Sequence, residues 1–86
     1  MTIENDNIEA SLSTLIMSIG SSAAMSLGLS PDPATGKTSV NKEVARFNID
    51  LLKVIEEKTK NNLSTEEENF LKHIISDLQL KFVELK

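Results

Sequence analysis

The sequence predicts an all-α protein of three helices, in which helices 2 and 3 form an antiparallel hairpin and a nearly uncharged helix 1 is completed by oligomerisation. Three observations predict it. Apolar residues recur at spacings of three and four in three separate stretches. Two segments with turn chemistry, one around Gly28 to Gly36 and one around Asn61 to Ser64, divide those stretches. No stretch has the strict alternation, or the clustering of Val, Ile and Tyr, that marks a strand.

The 86 residues leave room for one domain, 1–86, with a flexible lead over 1–7, helix 1 over 8–28, a loop over 29–40, helix 2 over 42–60 and helix 3 over 65–84. Ile8, Leu12, Leu15, Ile16, Ile19, Ala23 and Leu27 form one stripe along helix 1, which is its core face. The opposite side is unusual for a surface helix, because from Ser11 to Pro31 there is no charged side chain at all. Thr14, Met17, Ser18, Ser21, Ala24 and Met25 make it small and neutral, and small residues let another backbone come close. These six residues are the candidate partner interface. The same stretch has membrane-span length, but its seven serines and central glycine argue against a span.

Gly28 ends helix 1, and the loop after it holds Pro31, Asp32, Pro33 and Gly36. Its length lets it cross the end of a bundle rather than join two neighbours tightly. Helix 2 follows Asn41 as N-cap. Val44, Phe47, Leu51, Val54 and Ile55 form its stripe, with Ala45, Ile49 and Leu52 alongside. Together they span an arc of roughly 220°, more than one neighbour requires, so helix 2 is the central helix. Asn61 or Asn62 can take the left-handed conformation that stops it. Ser64 and Glu67 have capping-box spacing at the start of helix 3, which then runs one-sided through Phe70, Leu71, Ile74, Ile75, Leu78, Phe82 and Leu85. The short linker makes helices 2 and 3 a hairpin.

Composition excludes several classes of function. With no cysteine and one histidine, there is neither a disulfide framework nor a thiolate metal site, and no cofactor or metal is expected. A net charge of −4 argues against nucleic acid as partner. The acidic start, Met1-Thr2-Ile3-Glu4-Asn5-Asp6, is unlike the basic start of a secretory signal, and the expected location is the cytoplasm.

No group of residues has a catalytic pattern. Gly36-Lys37-Thr38 resembles the end of a phosphate loop, but position 31, where that motif needs glycine, is proline, so a tight turn is the better reading. Glu66, Glu67 and Glu68 occupy a first helical turn, where negative charge suits the dipole. His73 lies at the edge of an apolar arc with no co-ligand and reads as a solvated residue. Arg46 with Asp50, Glu56 with Lys60, Glu68 with Lys72 and Asp77 with Lys81 are spaced as helix-stabilising pairs. Asn48 falls inside the apolar arc of helix 2, where a buried asparagine can fix register.

Three runs carry a resemblance: Leu27-Gly28-Leu29-Ser30-Pro31-Asp32-Pro33-Ala34-Thr35-Gly36-Lys37, Ala45-Arg46-Phe47-Asn48-Ile49-Asp50-Leu51-Leu52, and Glu56-Glu57-Lys58-Thr59-Lys60-Asn61-Asn62-Leu63-Ser64. In order and spacing the chain resembles, from about Leu12 to Val83, a family of small bacterial proteins known as domain of unknown function 1844. The resemblance implies a bacterial cytoplasmic helical protein and brings no catalytic residues. The expectation is a non-enzymatic module that self-associates or binds a protein partner through helix 1. The alternative is a peripheral membrane protein that lays helix 1 on lipid, although the Lys and Arg expected on its polar face are missing.

Overall fold

The computed structural model describes residues 10–85, and among them the chain is three α-helices: α1 (Leu12–Ser26), α2 (Lys42–Lys58) and α3 (Thr65–Val83). The fold is all-α, and α2 and α3 pack together.

Helix α1 starts later than apolar spacing alone suggests. Ser11 is extended (φ −139°, ψ 166°) and its Oγ accepts from the Thr14 N–H at 3.2 Å, which makes Ser11 the cap and Leu12 the first helical residue. A stripe of side chains carries no information about where the first backbone N–H finds its partner. The expected starting point, Ile8, and the lead over 1–7 lie outside the described residues. At the other end Gly28 (φ 79°) donates to the Met25 carbonyl at 3.0 Å and Leu29 donates to the Ala24 carbonyl at 2.9 Å, the paired bonds of a Schellman motif.

The long connection does not cross the bundle. Leu27 and Val40 form an isolated antiparallel bridge, and Asn41 donates its N–H to the Ser26 carbonyl at 2.7 Å, so the loop returns to where it left. Within it, Asp32 accepts from Gly36 at 2.6 Å and from Thr35 at 3.1 Å, and its carboxylate accepts from the Ala34 N–H at 2.8 Å. This Asx-type turn needs the positive φ of Gly36, and it is the structure adopted around Gly36-Lys37-Thr38.

Asn41 caps α2 by accepting from the Val44 N–H at 3.1 Å. Asn61, at φ 70°, ends the turn that follows it. Ser64 and Glu67 close the capping box of α3, with the Glu67 N–H donating to Ser64 Oγ at 3.1 Å and the Ser64 N–H donating to Glu67 Oε1 at 3.0 Å.

The core takes three residues from each helix region: Ile16, Ala23 and Leu27, then Ala45, Ile49 and Leu52, then Leu71, Ile75 and Leu78. Ile16, Leu52 and Leu71 are fully buried, one from each helix. Helix α2 packs on both neighbours, more extensively on α1, and is the central element. The molecule is flat, with Cα extents of 37 × 36 × 16 Å. Its radius of gyration of 14.0 Å exceeds the ~12 Å typical of a compact chain this long.

Candidate interaction surfaces

The wide apolar arc of α2 divides in two. Ala45, Asn48, Ile49 and Leu52 face the core, whereas Val44, Phe47 and Val54 stay in water, and Leu51 is half-buried. Three of the five residues expected in the stripe, Val44, Phe47 and Val54, are therefore its solvent edge, while Ile55 packs against the core. Periodicity fixes the width of a face, and the direction from which neighbours approach decides which part is covered. Phe47 is 61% exposed, Val54 50% and Val44 42%, and exposed Val40 extends the row one turn toward the loop. This row was missed as a surface. Its signal was the surplus arc, wider than two neighbours could cover.

On α1, Met17, Ser18 and Ser21 are exposed, while Thr14, Ala24 and Met25 are half-buried. Met17, Ser21 and Ala24 do not stand alone. With Gly20 they form one wall of a mainly apolar groove of ≈ 310 Å³, whose other wall is Phe70, His73, Ile74, Asp77 and Leu78 of α3. The small residues thus admit a helix of the same chain: Ile74 Cγ2 lies 3.6 Å from where a Cβ on Gly20 would sit. His73 stands exposed at this groove, as its position at the edge of the arc suggested.

A second, larger groove of ≈ 800 Å³ opens between the end of α2 and the start of α3. It is lined by alternating charge, including Lys53, Glu56, Glu57, Lys60, Glu68 and Lys72. Lys72 Nζ pairs with Glu68 Oε2 at 3.3 Å, with both side chains more than half exposed, a geometry that contributes little to stability. Of the four pairs expected from spacing, this is the one formed among the described residues. Also among the described residues, no three His, Asp or Glu side chains converge as a metal site. Asn48, the buried polar residue, donates its Nδ2 to the Val44 carbonyl at 3.0 Å. None of the three helices is long and apolar enough to cross a membrane.

No curated protein and no solved structure matches the chain. The model of a family described as a domain of unknown function (DUF1844) matches residues 9–84, nearly the whole chain, and the protein belongs to that family.

Proposed function

We propose that this protein is a non-enzymatic, cytoplasmic interaction module that associates with other protein chains, itself included, through apolar surface its own fold leaves uncovered. The observation that carries this reading is the exposure of Leu15, Met17, Val40, Val44, Phe47 and Val54 in a chain with one small core. Such surface is uncommon on a stable monomer unless something docks there. Helix α1 contributes on both flanks: Met17, 58% exposed, borders the groove with α3, and Leu15 lies on the other side of the helix. The charged groove supports the same reading. Its lysines and carboxylates face open water, where a proton or charge gains nothing from a low dielectric.

Light scattering on the purified chain tests the proposal, with liposome flotation beside it. Association that grows with concentration, in a protein that stays with the soluble fraction, is the expected result. A strict monomer that pulls down no partner, or one that floats with lipid, overturns it.

A further inference from the structure

The exposed row on α2 carries a pattern that a second copy of the same chain satisfies. A twofold interface is isologous: if residue i of one copy meets residue j of the other, then j meets i, so a charge pattern fits itself only when i and j are opposite. Along the outer edge of the row run Glu43, Arg46, Asp50 and Lys53. Reflected about position 48, Glu43 exchanges with Lys53 and Arg46 with Asp50, and in both cases the sign inverts. None of these four forms an ion pair within its own chain among the described residues.

We propose that two copies associate with their α2 helices antiparallel, Val44 of one against Val54 of the other and Phe47 against Leu51. In that register Arg46 falls two residues, about 3 Å along the axis, from the other copy's Asp50, and Glu43 falls equally near the other copy's Lys53. Both offsets are within reach of long side chains. Only the antiparallel arrangement brings the two charged edges to the same side of the seam, whereas a parallel pair holds them on opposite sides and leaves these charges without partners.

The area is adequate. Val40, Val44, Phe47 and Val54, each about half exposed, leave on the order of 350 Å² of surface in water, with half-buried Leu51 beside them. A standard interface covers about 800 Å² per partner, little more than half of it apolar.

This inference rests on the interaction-module reading and fixes its partner and surface. Equilibrium sedimentation of the full chain, with circular dichroism to confirm folding, tests it on the wild type, Phe47→Glu, Arg46→Asp, Asp50→Arg and the double exchange Arg46→Asp/Asp50→Arg. The wild type is expected at twice the 9.5 kDa chain mass, with Phe47→Glu monomeric under the same conditions. Each single reversal should weaken association about tenfold, and the double exchange should restore it to within about threefold, since it re-creates both opposite pairs. A wild type monomeric at millimolar concentration overturns the dimer. An oligomer indifferent to Phe47 and to the charge exchange overturns this geometry and leaves association by another surface standing.

Discussion

The Cγ2 methyl of Ile74 sits 3.6 Å from the place a β-carbon on Gly20 would occupy, so α1 and α3 meet at the one helical position that has no side chain. That distance is ordinary van der Waals contact, and a methyl fits without displacement. Gly20→Ala should therefore stabilise the fold by ~0.5–1 kcal/mol, the helix-propensity difference, and raise Tm by several degrees. Gly20→Leu should wedge the helices apart and lower it. A drop in Tm for the alanine variant would show that the approach is closer than stated.

Two glycines with positive φ separate strain from crowding. At Gly28 (φ 79°) a Cβ would lie 3.0 Å from Val40 Cγ2, whereas at Gly36 (φ 73°) it would meet nothing. Gly36→Ala should cost the left-handed penalty of roughly 1–2 kcal/mol. Gly28→Ala should cost more, because Val40 must also move and the Leu27–Val40 bridge moves with it. Chemical denaturation of both variants checks the order, and equal losses would remove the crowding argument.

The capping box is the best-defined local feature of α3. Removing its hydroxyl in Ser64→Ala leaves the Glu67 N–H without its partner and should destabilise by ~1 kcal/mol. A Tm unchanged within error would mean that water replaces the cap without loss.

Asn48 is buried, but its amide bonds only the Val44 carbonyl of its own helix, four residues back. Asn48→Leu strands no polar partner and adds apolar surface to the core, so a gain of ~1 kcal/mol is expected with the mass in solution unchanged. A changed oligomeric state would instead reveal the register role that a buried asparagine can have.

How much of this was readable in advance differs by helix. Helix α3 was legible nearly to the residue, because Ser64 and Glu67 mark its start by backbone chemistry that depends on nothing distant. The start of α1 was less so: its apolar spacing runs on toward Ile8, while the Ser11 hydroxyl ends the helix first. In α2 the membership of the apolar arc was clear and its division was not. Whether Phe47 or Leu52 enters the core depends on where α1 and α3 lie, and a periodicity within one segment cannot encode that. The small face of α1 is legible as small and neutral, but not that part of it, at Gly20, Ser21 and Ala24, lines a groove whose other wall is α3. The link missing from the sequence was the position of a neighbour fifty residues away.

The bridge between Leu27 and Val40 also has a practical bearing. It ties the loop at its base, while residues 31–40 all face solvent. Extra residues spliced between Pro33 and Lys37 would give up the Asp32 turn, but they would enlarge a ring that is already shut, and doubling such a ring adds only ~0.6 kcal/mol of chain entropy to that loss. An epitope or fluorophore inserted there would report on the protein from a segment that lines neither groove, with each helix keeping the ends it has now.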